Sequence, residues 1–475
     1  MRKSVAQELA NRTIGMLDSG LLADLRAVVG ESGLLTGAAV QERADVNGHV
    51  PRAAALVRPA STEQVSGVLR LCHARHQSVV THGGRSGLVE GTATTEHELI
   101  LSTERMNAIE RVDVAGRTMR VQAGAILQRV QEEAERHDLM FALDLGGRGT
   151  CTIGGNISTN AGGVRVLRYG MMRALVLGIE AVLADGTVLK SLNRMLKNNA
   201  GYDLKQLFIG SEGTLGVVTR ADLRLFARPR STNTALVACR DFAGLVKLLG
   251  LLDSSLGGQL SAFEAMWPDF YTATTSAFGH HRALLPETHG IYGLVEASGA
   301  DLEGDAARFE EALGEAMEQG VVLDAVIAKS ESERNAIWAP RDDPWLITQH
   351  YGATLNFDVS MAIEDMAGYL ANLRAAVAQR IPAGKVFAFG HIADGNLHVI
   401  LAPGTADPAV LRLGEELAYE LLRPIDGSIS AEHGIGLERR HFLNISRSAQ
   451  EIEAMRVVKR ALDPHGILNP GKVFE

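Results

Sequence analysis

The sequence predicts an α+β protein of two main domains, and three observations carry that expectation. From about residue 48 to 228, short apolar runs alternate with Gly, Asp and Asn punctuation, as in a many-stranded domain. From 229 to 425, longer helical stretches alternate with strands, which reads as a second unit of the same class. Apolar residues make up 46% and charged residues 22% of the 475, a globular balance long enough to bury two cores. An N-terminal segment, 1–47, and a C-terminal segment, 426–475, complete the division.

Taken in order, residues 1–47 read as helical, with an apolar stripe through Leu17, Leu21, Leu22 and Leu25. Ala53–Pro59 is a short strand stopped by proline. Ser61 then opens a helix as its cap, with Gln64 at the capping-box position. A strand over Gln77–Thr81 leads into the glycine-rich turn Gly83-Gly84-Arg85-Ser86-Gly87. In the second unit, helices are expected over Asp301–Gln319 and Ile363–Gln379, and strands over Gly290–Glu296 and Lys385–Phe389. No repeat or low-complexity stretch is visible.

Composition excludes several classes. A formal net charge of -9 argues against a nucleic-acid footprint. No stretch approaches the ~18 uninterrupted apolar residues of a membrane span. Gln7, Glu8, Asn11 and Arg12 interrupt what would be a signal-peptide core, so a soluble, cytoplasmic protein is expected. The three cysteines, Cys72, Cys151 and Cys239, lie far apart, which excludes a disulfide framework, a zinc ribbon and a thioredoxin-like motif.

The 83–87 turn follows a strand and can direct backbone N–H groups at a phosphate, with Ser86 and Arg85 beside them. A tight loop with no ligand is the plainer alternative. The pattern does not match GxGxxG, and no acidic residue follows at the dinucleotide-fold distance, which disfavours a nicotinamide enzyme. Residues 143–163 are more specific: Leu-Asp-Leu-Gly-Gly-Arg-Gly-Thr-Cys-Thr-Ile-Gly-Gly-Asn-Ile-Ser-Thr-Asn-Ala-Gly-Gly. So much glycine costs chain entropy and suits backbone passing close to a flat ligand, with Thr152, Asn156, Ser158 and Asn160 as polar contacts. The turn 210–216 adds another close approach.

These segments, with Arg168-Tyr169-Gly170, 182–187 and 201–216, resemble the D-2-hydroxyglutarate and D-lactate dehydrogenase branch of the FAD-linked oxidases. The resemblance runs from about residue 45 to the C-terminus. It implies the PCMH/vanillyl-alcohol-oxidase fold: an FAD-binding domain, an α+β substrate (cap) domain, and a C-terminal segment returning to the flavin. It further implies a pyrophosphate on Gly83, Gly84, Arg85, Ser86, Gly87 and Leu88. Flavin contacts are implied from Thr152, Gly154, Asn156, Asn160, Glu212, Gly213 and Val218, with Asn469 from the C-terminal turn. Some relatives attach FAD through a histidine at the third position of the first turn. Arg85 stands there, which implies non-covalent FAD.

Phe389–Ile400 reads Phe-Gly-His-Ile-Ala-Asp-Gly-Asn-Leu-His-Val-Ile. A two-residue Asp394-Gly395 hairpin would pair 391 with 398 and set both histidines on one face, Cβ atoms about 5 Å apart, able to share a metal. Each could instead simply hydrogen-bond to backbone. Glu432 and His433 are adjacent, so they reach one site only through a bend, which Gly434 and Gly436 allow. A solvated loop is the alternative reading. The family resemblance implies that His391, His398 and Glu432 ligate a divalent metal, zinc first and Mn2+ or Fe2+ next, and that His433 is the general base. Ala393 departs from the family's usual glycine.

Trp338-Ala339-Pro340-Arg341 resembles the segment whose arginine holds the substrate carboxylate, the alternative being a surface arginine. Trp345, Asn356 and Ile400 stand where the diacid dehydrogenases have Thr, Lys and Asn to hold a distal carboxylate. The expected activity is therefore FAD-dependent, metal-assisted oxidation of a D-2-hydroxy acid to the 2-keto acid, with a D-lactate-like or apolar acid favoured over D-2-hydroxyglutarate. Asp342 and Asp343 would also tolerate a cationic substrate group. Electron-transfer flavoprotein, a quinone or a cytochrome is the implied acceptor, and a homodimer is a family expectation. D-2-hydroxyglutarate dehydrogenase proper, an oxygen-reducing oxidase and, more remotely, a transferase of the same fold are the alternatives.

Overall fold

The computed structural model describes residues 18–474. Leu17 and residues 7–12 lie outside them. Asp18 caps the helix Ser19–Val29, whose stripe Leu21, Leu25 and Val29 is buried. The N-terminal segment is not helical throughout. Leu34–Thr36 is a strand paired antiparallel with Ala55–Val57. Its three residues gain ladder hydrogen bonds at a sheet edge, and that tertiary pairing overrides the local helical signal.

The first domain holds two main sheets and a two-stranded ribbon, Leu139–Met140 with Phe226–Ala227. One runs in the order Leu34–Thr36, Ala55–Val57, Leu99–Ser102, Val79–His82, with the last three strands parallel. The helix Thr62–Ala74 packs on it. Ser61 caps that helix by accepting from Gln64 N, while the Gln64 side chain accepts from Ala60 N, one residue short of a full capping box. The other sheet is antiparallel, in the order Ile109–Asp113, Thr118–Gln122, Val217–Arg224, Val176–Val182, Val188–Ser191.

The second domain is one seven-stranded antiparallel sheet. Its order is Asp324–Ile327, Ser231–Cys239, Ile291–Gly299, Leu260–Met266, Lys385–His391, Asn396–Ala402, Leu355–Ser360. Strand side chains alternate, so each strand contributes to two cores. Phe263, Ala388, Val399 and Phe357 face the helices Phe242–Leu256, Leu302–Glu318 and Ile363–Arg380. Met266, Phe389 and Ile400 face the other way, against Phe270, Ile337 and Ile347.

The C-terminal segment ties the domains together. Ser428 bridges to Ser360 of the large sheet, and Leu437 N donates to Val89 O beside the first glycine turn. Leu468 then bridges in parallel to Val79, burying Ile467 and Leu468 in the first domain's core.

Candidate active site

Four strands of the large sheet bring titratable side chains to one face. Glu264 lies two residues from Met266, His391 two from Phe389, His398 two from Ile400, and Asp358 two from Asn356. Period-two alternation therefore puts all four on the face that carries the smaller core. The hairpin does not have the two-residue turn that Asp394-Gly395 suggests. His398 pairs with Phe389, and residues 392–394 form a 3-10 turn closed by Gly395 at φ 83°. The register slips by two residues, which preserves the face. His391 and His398 become diagonal neighbours with ring centroids 5.3 Å apart. The cause is that Ile392 is fully buried, which folds the turn inward, and that His391 is registered against Glu264 on the adjacent strand.

Glu264 and His391 are in contact, with His391 Nδ1 2.6 Å from Glu264 Oε1. Arg341 Nε donates to Glu264 Oε2 at 2.8 Å. His391 Nε2 meets Glu432 Oε1 at 3.2 Å and Arg341 Nη2 at 3.1 Å. A proton on Nε2 suits the carboxylate, and a bare lone pair suits the guanidinium. Burial alone would raise the Glu264 carboxyl, but Arg341 and His391 outweigh it and hold it down to about 2. Burial alone would lower His391, yet Glu264 overrides it and lifts the imidazole to about 10. His398 lacks so close a carboxylate, and burial pushes it down to about 3.

Asp358 organises the other side. Its Oδ2 accepts from the backbone N–H of both Glu432 (2.9 Å) and His433 (2.8 Å), and its Oδ1 accepts from Asn396 Nδ2 at 2.7 Å. This is the bend that lets adjacent residues serve one site. Gly434 follows at φ 90°, where a Cβ would be strained. Asp358 also lies 3.8 Å from His398 Nδ1, 3.7 Å from His433 Nδ1 and 3.5 Å from Arg439 Nη1. Burial would raise its pKa, but the proximity of His433, His398 and Arg439 holds it well below the usual carboxylate range. Glu432 is lowered likewise: burial opposes, and His391 prevails.

The ligand atoms of His391, His398 and Glu432 lie within 4.8 Å of one another, and those of Asp358, His398 and His433 form an overlapping group. The imidazoles of His398 and His433 stack at 5.8 Å. Arg341, from the helix Glu331–Asp342, also lies over Phe389, 5.4 Å from its ring. Ile400 is buried among Phe387, Phe389, Ile337 and Ile347, and Asn356 pairs with it across the ladder. Trp345 is half-exposed at the start of the helix Trp345–Tyr351.

The glycine-rich segments converge on the same place. A Cβ on Gly84 would run into Thr150 O, and one on Gly83 would meet Thr152 Oγ1, so these two glycines let the loops pack on each other. Gly87 faces open space. Thr152 caps the helix Ile153–Thr159, and Gly154 packs on Ala123. Val218 lies in the core beneath. Other side chains are occupied by the protein itself. Glu212 accepts from Ile435 N and Gly436 N, Asn160 accepts from Arg173 N, and Asn156 is buried against Cys151. Asn469 accepts from Thr81 N and donates to Glu212 O, and Gly213 passes it too closely for a Cβ. Gly162 lies against Glu432, joining the 143–163 segment to the carboxylate cluster.

Residues 53–191 match the family model described as "FAD binding domain", and residues 228–473 match "FAD linked oxidases, C-terminal domain". The chain belongs to the FAD-linked oxidase family. Within this family it is 40% identical to a D-2-hydroxyglutarate dehydrogenase of Xanthomonas citri pv. viticola, over 90% of each chain. It is 38% identical to the mitochondrial D-2-hydroxyglutarate dehydrogenase of Danio rerio, over 88% of this chain and 78% of that one. A D-2-hydroxyglutarate–pyruvate transhydrogenase of Saccharomyces cerevisiae is 33% identical over 97% of this chain and 96% of its own. Among solved structures, 4-ethylphenol oxidase from Gulosibacter chungangensis aligns with a TM-score of 0.74 at 18% identity, covering 99% and 97% of the two chains. Substrate-bound p-cresol methylhydroxylase aligns with a TM-score of 0.74 at 16% identity, covering 96% of each. These two share the fold. The protein is an FAD-dependent oxidoreductase of the D-2-hydroxy acid dehydrogenase type, acting on a CH–OH group.

Glu264, Asp358 and Arg439 escaped the sequence reading. A lone carboxylate inside an apolar strand was the available signal for the first two, because a buried charge needs a partner. Arg439, nearly fully buried, stands beside Arg440 in a polar stretch and carries no such mark.

Proposed function

We propose that the enzyme oxidises a D-2-hydroxy acid at Cα with a divalent metal, zinc first, held by His391, His398 and Glu432. The reading is carried by the convergence of these three side chains within 4.8 Å of one another. Two imidazoles and one carboxylate, with a position left open, are a donor set that suits catalytic zinc. Bound there, the ion would supply Lewis-acid stabilisation of the substrate oxygen. FAD supplies the hydride acceptor.

The chain's own residues do the rest. His433 Nδ1 lies 3.7 Å from Asp358 Oδ2 and 3.4 Å from Arg439 Nη2; with the ring proton on Nδ1, toward the carboxylate, the Nε2 lone pair is left to take the hydroxyl proton. Glu264 holds Arg341 by Nε. The lone pair of His391 Nε2 can serve a metal or Arg341, not both, so a metal there frees Nη2 for the substrate carboxylate. Three buried polar atoms without a protein partner, Thr81 Oγ1 and His82 Nδ1 just before the 83–88 turn and Arg85 Nε within it, suit non-covalent FAD with its pyrophosphate on that turn.

Ile400, Phe387 and Asn356, at the ladder positions next to His398, place no cation beside it, which favours a D-lactate-like or longer apolar acid. D-2-hydroxyglutarate is the second reading, favoured by the names of the relatives. Those names, dehydrogenase and transhydrogenase, also favour an acceptor other than oxygen. A substrate panel with an artificial acceptor tests the choice: apolar D-2-hydroxy acids should exceed D-2-hydroxyglutarate in kcat/KM by about tenfold or more, the worth of a lost charge partner. The reverse order overturns it. Chelation should abolish turnover and zinc or manganese restore it, and stoichiometric peroxide release would overturn the acceptor assignment.

A further inference from the structure

We propose that Glu264 is a positioning residue that sets the tautomer of His391 and the aim of Arg341 together. This rests on the metal and substrate roles proposed above. Glu264 sits mid-strand, 1% exposed, directly opposite His391 in the ladder. Its two oxygens have one partner each: Oε1 meets His391 Nδ1 at 2.6 Å, and Oε2 accepts from Arg341 Nε at 2.8 Å. A carboxylate only accepts, so Nδ1 must carry a proton. A metal would then be bound through Nε2, the nitrogen that faces Glu432 at 3.2 Å, in place of the proton held there without one. A second carboxylate behind a ligating imidazole fixes ring orientation and raises its basicity. The same carboxylate fixes the plane of the guanidinium through Nε.

A plain buried ion pair between Glu264 and Arg341 is the competing account, and Glu264→Gln separates the two. Glutamine keeps the shape but offers one accepting oxygen and one donating nitrogen. Arg341 Nε–H and His391 Nδ1–H both need an acceptor, so the amide cannot serve both. The permanently charged guanidinium makes the stronger claim on the oxygen. The amide nitrogen then faces Nδ1, which must turn acceptor, and the proton moves to Nε2, where it blocks the metal.

The experiment is zinc affinity of the FAD-loaded enzyme by chelator competition, with KM for a D-2-hydroxy acid measured in parallel. E264Q should bind zinc about 10–100-fold more weakly, with KM changed by less than about tenfold because Arg341 keeps its partner. Wild-type zinc affinity in E264Q overturns the proposal. His398→Ala is the control on the underlying reading. If it too binds zinc like the wild type, the metal assignment falls and this proposal with it. If H398A loses zinc and E264Q does not, only this proposal falls. Should E264Q not fold, the wild-type enzyme decides. Loaded with cadmium-113 and nitrogen-15 histidine, it should show cadmium coupled to Nε2 of His391, and coupling to Nδ1 overturns the proposal.

Discussion

The strand end and turn at 81–87 and the sheet face at 264, 358, 391 and 398 solve opposite problems. Within five residues of the first, three buried polar atoms have no protein partner: Thr81 Oγ1, His82 Nδ1 and Arg85 Nε. On the sheet face, Glu264 and Asp358 have every carboxylate oxygen engaged, and Asn396 Oδ1 is the atom left over. Buried polar atoms are seldom left unpaired unless something else completes them. Under the function proposed above, the first region is finished by its cofactor. The second is ordered before any ligand arrives, as a catalytic constellation must be if it is not to reorganise during reaction.

That contrast can be broken at its strongest point. Asp358→Ala removes the carboxylate that lies against Arg439, His398 and His433, leaving the buried Arg439 cation without its ion-pair partner. We expect a loss of about 3–5 kcal/mol of stability, read by urea denaturation, together with near-complete loss of turnover. A change below about 1 kcal/mol would mean that solvent, not Asp358, balances Arg439.

The cofactor side should respond to acid. Burial, more than the nearby Arg85 and Lys472 charges, pushes His82 down to about 4, against the bond to Thr92 O. The folded protein thus keeps His82 neutral where the unfolded chain, with a pKa near ~6.5, takes a proton. Its contribution is intact above pH ~6.5 and is lost progressively as pH falls toward about 4, by up to about 3 kcal/mol. His82→Gln should flatten this part of the stability–pH curve. An unchanged slope between pH 6.5 and 4 would show that His82 already ionises in the fold.

The smallest effects sharpen the comparison most. Gly84→Ala drives a Cβ into Thr150 O, so stability should fall by about 1–3 kcal/mol, read as a lower melting temperature even without FAD. Gly87→Ala meets nothing within 4 Å, so the FAD-free protein should change by less than about 0.5 kcal/mol while FAD affinity falls. Equal effects from the two variants would erase the distinction between glycines that pack loops and glycines that admit a ligand.

Much of this was legible beforehand. The cap at Ser61, the helix after Asp301, and the shared face of His391 and His398 follow from local rules of capping and alternation. The register of that hairpin was not legible, because a slip of two residues keeps every side chain on its face and leaves the alternation unchanged. Nor was the strand Leu34–Thr36, whose hydrogen-bond partner lies about twenty positions away.

The sequence by itself determined the class of protein, the flavin-type glycine segments and the two histidines with their Glu-His companion. Only the tertiary structure decided what those residues lean on. Glu264 reaches His391 across 127 positions, and Asp358 gathers the N–H groups of Glu432 and His433 from 74 and 75 positions away. Local pattern reports which face a side chain takes, because that is set by backbone geometry over a few residues. Which distant charge completes it depends on strand order and register, and those are fixed only when the whole sheet packs.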